Sequence, residues 1–312
     1  MIKPLRLIPD ATNIDFIKVR FFTFLLSACL VMAAFGLLFT KGLNFGIDFV
    51  GGTLIEVKLD QAPNMALLRD DFNNLNIGAI SLQEFGEADD LLIRVPEQAG
   101  GIEDQQKAVE DVRTVLAKQY GEEAVEYRRT EFVGPQVGKE LIRAGGMAVL
   151  FSLLGIMAYV SVRFEWQFGA AALIALFHDT MITIGFFSLT GMEFNLATVA
   201  AVLMVGGYSI NDTVVVFDRI RENMRKFKKM DMRELLNVSV NQTLSRTVLT
   251  SFTTLLALFA LWFFGGEVIR GFTLALIVGI GVGTYSSIFV AGALLVYFNI
   301  RTITAKEDKA AA

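Results

Sequence analysis

Six stretches of largely apolar sequence dominate this chain: Phe21–Phe39, Ala144–Val162, Phe168–Leu189, Leu196–Phe217, Leu244–Phe264 and Phe272–Phe298. A run of about 18 or more such residues is long enough to cross a bilayer as a helix. The predicted fold class is therefore a membrane α-helical bundle of six transmembrane helices. Composition agrees, with 54% hydrophobic residues and abundant Phe and Gly, at 27 each. Aromatics gather at membrane interfaces, and glycines let helices approach closely. The first run follows Lys18 and Arg20, as a signal peptide would. It is long for one, however, and ends in "LFTKG" without a small-x-small cleavage pattern, so it is read as a retained span.

Lysine and arginine orient the spans. Lys3, Arg6, Lys18 and Arg20 precede the first, "DRIRENMRKFKKMDMRELL" lies between the fourth and fifth, and Arg301, Lys306 and Lys309 follow the sixth. With six spans these three places share one face, which the positive-inside rule makes cytoplasmic. The expected organisation is residues 1–40 as an N-terminus and first span, and 41–139 as a soluble domain on the opposite face. Residues 140–300 form a five-helix bundle with a basic loop at 218–243, and 301–312 a cytoplasmic tail. The basic loop carries both charge signs and some apolar positions. It reads either as a surface helix or as a solvated loop that sets orientation.

The soluble segment has a legible order. "TLIEVKL" alternates Ile55, Val57 and Leu59 with Glu56 and Lys58, the period of a half-buried strand. "NMALLRDDFNNL" aligns Met65, Leu68, Phe72 and Leu75 on one helical face, with Asn64 as cap. "AISLQEF" and "DLLIRVP" read as strands joined by "GEAD". A helix follows with Val109, Val112 and Leu116 aligned, then a final strand in "EAVEYRRTEFV". The order β-α-β-β-α-β is the ferredoxin-like (split βαβ) pattern, so an α+β domain with one sheet face free for binding is expected.

Net charge is −4, and nothing points to nucleic acid. The single cysteine, Cys29, cannot pair within the chain. The single histidine, His178, leaves no basis for a histidine-based metal site, and no cofactor is expected.

The chemistry concentrates in the apolar runs. "VLMVGGYSINDTVVVFDRIREN" is an apolar helix as far as Phe217, yet holds Asn211 and Asp212. A charge at mid-membrane costs roughly 2.5–3.5 kcal/mol on insertion scales and usually faces a partner or a wet cavity. Asp212 lies 17 positions from Asn195, and Arg246 lies 18 positions before Phe264. At 1.5 Å per residue both sit about 25–27 Å from the same face, so an Asp212–Arg246 pair is predicted. That pair reads either as a fixed ion pair setting helix register or as a titrating carboxylate on an ion path. The side of the fourth span carrying Asp212 is expected to hold Val205, Tyr208 or Ser209, Val215 and Arg219, with Gly206 and Gly207 beside it for close packing. Asp218, next to Arg219 and Arg221, reads as an ordinary interfacial acid. His178 and Asp179 fall mid-span in the third helix, as a proton relay or as a packing pair. Asn211 is a further candidate for such a relay. Gly279 and Gly283 in "VGIGVGTYSS" have the spacing of a close helix contact.

Five separated segments, "FGIDFVGGTLIEV", "FVGPQVGKEL", "GYSINDTVVVFDRIREN", "LSRTVLTSFTTLLALFALWFFGGEVIRGF" and "GVGTYSSIFVA", together resemble the SecF family, the smaller membrane subunits of the bacterial SecD–SecF protein-export complex. The resemblance runs from Lys18 to Phe298. It implies a bundle similar to resistance-nodulation-division transporters, pairing with SecD and associating with the SecYEG channel and YajC. It implies a bacterial inner-membrane location with a periplasmic domain at 41–139. The activity it implies is use of the proton or sodium gradient to draw an exported, unfolded polypeptide outward, without enzymatic turnover. It also implies ion-coupling roles for Asp212 of "NDT" and Arg246 of "LSRT". The competing expectation is a passive scaffold for SecD and the channel.

Overall fold

The computed structural model describes residue 9, residues 12–84, 86–298 and 300. Lys3, Arg6, Arg301, Lys306, Lys309 and the tail 301–312 lie outside the described residues. Among the described residues, six helices are long and apolar enough to cross a membrane. They are α1 (Arg20–Thr40), α5 (Pro135–Arg163), α6 (Trp166–Thr190), α7 (Leu196–Lys226), α8 (Met232–Phe264) and α9 (Arg270–Ser286). The last continues through a π-helical turn, Ser287–Ala291, into the short α10 (Gly292–Leu294).

Helices α6, α7 and α9 form the buried centre, and α1, α5 and α8 keep broad apolar faces exposed. Local chemistry sets the ends. The Asn195 side chain caps α7 by accepting from Thr198 N, and Asp48 Oδ2 accepts from Leu196 N at 2.9 Å. Two side-chain oxygens, one amide and one carboxylate, thus satisfy amides that the first helical turn leaves unpaired. Asp231 caps α8 in the same way.

Of the two readings of 218–243, the helical one holds and the solvated loop does not. Helix α7 runs on to Lys226 and α8 begins at Met232, leaving only residues 227–231 between them. Hydropathy marks the part of a helix in lipid, not where the helix stops. Beyond the apolar runs the two helices hold together through Ile220, Met224, Leu235, Leu236 and Val240, all buried in one cluster. Asn223 Nδ2 adds bonds of 2.9 Å to Ser239 and to Gln242.

Outside the bundle, β2 (Gly52–Leu59), β3 (Ser81–Glu84), β4 (Asp90–Val95) and β5 (Val125–Val133) form an antiparallel sheet in the order β3-β4-β2-β5. Helices α3 (Met65–Asn73) and α4 (Ile102–Tyr120) contribute Leu68, Phe72, Val112 and Leu116 to the core on one face. Asn64 caps α3, accepting from Ala66 N and Leu67 N. Gly52 opens β2 with φ +108°, and a Cβ there would lie 2.4 Å from the Val95 carbonyl. Only glycine meets both conditions.

The other sheet face is only partly free. Leu54 and Leu92 pack with Ile47 of the short α2 (Ile47–Val50), and Glu56 is also buried. The face overlies a cleft of about 450 Å³ shared with Met192, Trp262 and Arg270 at the helix ends. Short strands β1 (Asn44–Phe45) and β6 (Glu193–Phe194) pair in parallel and join the linkers that follow α1 and α6. Arg94 of β4 clasps this junction, donating to Asn44 Oδ1 at 3.0 Å and to the Glu193 carboxylate.

Candidate ion-coupling site in the helix bundle

The site starts from a close helix contact. Gly279 and Gly283 put the α9 backbone against Val205 and Ser209 of α7, and a Cβ at Gly279 would lie 2.1 Å from Val205 Cγ2. Gly206 meets Leu176, whereas Gly207 faces open space and serves no contact here.

That approach carries a run of four hydroxyl residues, Thr284–Ser287, into the bundle centre. Successive helical residues point about 100° apart, so four in a row reach in every direction. Each meets a different helix. Thr284 Oγ1 donates to Ser251 of α8 at 2.7 Å, and the Tyr285 hydroxyl donates to the Thr23 carbonyl of α1 at 2.9 Å. Ser286 Oγ donates to Asp179 of α6 at 2.7 Å, and Ser287 Oγ lies 3.0 Å from Thr213 Oγ1 of α7. The change from α to π geometry begins at Ser287. Such turns are common at functional sites.

Two buried carboxylates adjoin this run in contrasting states. Asp179 is fully buried. Its Oδ2 accepts from Ser209 Oγ at 2.6 Å and Ser286 Oγ at 2.7 Å, and its Oδ1 lies 2.8 Å from His178 Nδ1. Asp212 is 3% exposed, but its partners are distant: Thr250 Oγ1 at 3.5 Å and Ser251 Oγ at 3.4 Å. Both distances are at the outer edge of hydrogen bonding.

The predicted Asp212–Arg246 ion pair is not formed. Asp212 is level with Thr250 and Ser251, four and five positions beyond Arg246 on α8. That offset is one helical turn, about 6 Å, which counting residues from the span ends does not resolve. Arg246 is exposed and lines a groove of about 950 Å³ with Asn211, Arg163, Arg219 and Gln242. Asn211 therefore joins Arg246 on the groove and takes no part in the His178–Asp179 cluster. Ser209, not Tyr208, shares the buried side of α7 with Val205 and Asp212, while Val215 and Arg219 are only partly buried. Tyr208 instead lies 3.1 Å from Thr254 Oγ1. Asp218 accepts from Arg163 at 2.9 Å. Among the described residues no group of three His, Cys, Asp or Glu is placed to hold a metal.

Sequence reasoning did not single out Ser251, Thr284 and Ser286. The signal lay in the density of Ser and Thr in "LTSFTT" and "GTYSS". Hydroxyls cost little in a membrane helix, because each can bond its own backbone four residues back, so their presence alone marks nothing.

Six apolar helices around two buried carboxylates, with an α+β domain inserted after the first, define a multi-pass membrane protein with an ionisable core. Comparison with known proteins gives the particular family. The model described as "Protein export membrane protein SecD/SecF, C-terminal" matches residues 112–301, and that described as "SecD/SecF GG Motif" matches residues 36–63. The protein translocase subunit SecF of Rickettsia rickettsii (strain Sheila Smith) is 48% identical over 305 residues, covering 98% of each chain. That of Rickettsia bellii (strain OSU 85-389) is 47% identical over 297 residues, 95% of this chain and 97% of the relative. The crystal structure of SecDF, a translocon-associated membrane protein from Thermus thermophilus, aligns with a TM-score of 0.83 at 38% identity. The alignment covers 96% of this chain and 40% of that one, so the chain spans well under half of that larger protein. A SecDF structure in a super-membrane-facing form aligns with a TM-score of 0.69. The chain belongs to the SecF family of protein translocase subunits.

Proposed function

We propose that this chain couples an ion gradient, of protons or of sodium, to protein export, acting with SecD, the SecYEG channel and YajC and catalysing no chemical turnover. The observation that carries this reading is the contrast between the two carboxylates. Asp179 is held on both oxygens by short hydrogen bonds. Asp212 is as well buried but holds only two long ones, and among the described residues it has no cation as a direct partner. A buried carboxylate without adequate partners is costly when charged, so it is retained for use. Binding an ion neutralises Asp212, and its hold on Ser251, and through Ser251 on Thr284, changes. Arg246, one turn away on the groove, is the charge whose surroundings respond. One proton crossing 100 mV releases about 2.3 kcal/mol, comparable to the hydrogen bonds involved.

Movement of α7 and α8 against α9 passes to the outer domain through the β1–β6 pair and the Arg94 clasp. The strand order β3-β4-β2-β5 with both helices on one face supports the ferredoxin-like reading of that domain. It stands in the periplasm, with both termini cytoplasmic and the bundle in the bacterial inner membrane. The basic ends of α7 and α8 support that orientation.

The test is ion conduction by the complex with SecD, reconstituted in vesicles, under an imposed proton gradient and then a sodium gradient. One of the two drives a current that Asp212→Asn abolishes. Equal currents with and without that substitution overturn the reading.

A further inference from the structure

His178 is the sole histidine of the chain, 4% exposed, at the middle of α6. Its Nδ1 lies 2.8 Å from Asp179 Oδ1, and its buried Nε2 has no hydrogen-bond partner among the described residues. Orphaned buried polar atoms are uncommon and call for an explanation. The Asp179 carboxylate already accepts from Ser209 and Ser286 on its other oxygen. A carboxylate accepts and does not donate, so the shared atom toward Oδ1 is the Nδ1 proton of His178. The imidazole then carries a bare lone pair at Nε2, inside the bundle.

We propose that His178 is a second proton-binding group of the bundle. A proton delivered by hydronium adds to Nε2, leaving water, and Asp179 remains beside the ring as the fixed counter-charge. Ser209 and Ser286 are positioning residues, holding the carboxylate against Nδ1 and so selecting the tautomer. The proposal rests on the ion-coupling reading of the bundle and extends it to a second position.

The surroundings are suited to this. From α9 come Ser286 and Tyr285, whose ring centroid is 6.0 Å from that of His178. From α7 comes Ser209, with Asp212 one turn farther along and bonded to α8. From α1 come the Thr23 carbonyl, which accepts from the Tyr285 hydroxyl, and the Ser27 hydroxyl, 3.1 Å from it. From α5, Val149, Ser152, Leu153 and Ile156 line a small cavity with Leu176 and Thr180 of α6, and none of them titrates. Among the described residues no lysine or arginine pairs with Asp179, so a proton on His178 supplies the positive charge that its carboxylate lacks. The two carboxylates share one element: Ser286 holds Asp179, while Thr284, two positions earlier, holds Ser251 beside Asp212. A change of charge at either is felt through the same turn of α9.

A single histidine makes the test direct. The full chain is labelled with ¹⁵N-histidine, and its nitrogen resonances are followed in lipid from about pH 5 to 8. The expected neutral form has Nδ1 protonated and Nε2 bare, and Nε2 gains a proton reversibly as pH falls. Ser286→Ala moves the midpoint. Thr253→Val leaves it in place, because Thr253 bonds only the carbonyls of its own helix. An imidazole that keeps one form across the range, or a neutral form protonated at Nε2, overturns the proposal. If Ser286→Ala does not fold, Ser209→Ala serves as the positioning variant, and if neither folds the wild-type titration decides alone. Conduction that is insensitive to Asp212→Asn, with His178 titrating, would contradict the Asp212 reading and leave this one standing.

Discussion

Asp212 meets Ser251, at 3.4 Å, and not Arg246, which lies one turn away on the outer side of the same helix. The carboxylate and the guanidinium sit in different environments, one buried among hydroxyls and the other on a groove. No direct ion pair joins them, and Arg246 reaches Asp212 only as a nearby charge.

Removing a hydroxyl donor from a buried carboxylate costs about 1–3 kcal/mol. Ser251→Ala should therefore lower the unfolding midpoint of the detergent-solubilised chain, and Asp212→Asn should absorb much of that loss. A double-mutant cycle on the two positions measures the interaction. Fully additive losses would mean that Ser251 and Asp212 act independently.

The separation of Asp212 from Arg246 predicts different solvent access. In a chain carrying Cys29→Ser, a cysteine introduced as Arg246→Cys should react quickly with a hydrophilic thiol reagent in detergent. One introduced as Asp212→Cys should react at least about tenfold more slowly, in keeping with thiolate chemistry that requires access. Equal rates would show that the buried side of α7 is open to water.

How much of this was legible in the sequence divides along physical lines. The six spans and the β-α-β-β-α-β order follow from periodicity, which burial imposes directly on residues such as Ile55, Val57 and Leu59. Asn64 as a cap was readable because capping is local. The extension of α7 and α8 past the apolar runs was legible only as one of two alternatives, because Ile220, Met224 and Leu236 interleave with charges that hydropathy averages away. The Asp212–Arg246 pair failed for another reason. Depth counted along two helices says nothing about rotation, and Asn211 and Asp212, adjacent in sequence, face opposite environments. His178 and Asp179 were found as polar residues out of place, but their partners Ser209 and Ser286 needed the three-dimensional packing of α9.

Gly52→Ala should destabilise the outer domain. Its φ of +108° and the nearby Val95 carbonyl leave no room for a Cβ, and backbone strain of this kind costs about 1–3 kcal/mol before the clash is counted. The expected outcome is faster proteolysis of residues 52–133 with the helices intact. Unchanged cleavage would show that the sheet yields locally.

Tyr127 gives the outer domain an alkaline limit. Burial pushes its phenol above the ordinary 10.0, Arg113 opposes this, and Glu110 and Glu122 add to it. Above pH 10 the unfolded phenol releases its proton before the folded one does. The folded state then binds more protons, and stability falls as pH rises through that window. Tyr127→Phe should flatten this decline, measured as protease resistance of the domain between pH 9 and 11 on the scale that the phenol sets. The same alkaline decline in the variant would place its origin elsewhere.

The central claim, that ion binding at Asp212 drives the subunit, is tested most directly by export into inner-membrane vesicles containing the complex with SecD. Export is measured with the gradient imposed and collapsed, for the wild type and for Asp212→Asn, with assembly checked in each. The account predicts that the wild type is stimulated by the gradient, and that Asp212→Asn assembles normally yet exports at the rate seen without one. Undiminished gradient stimulation in Asp212→Asn would contradict it.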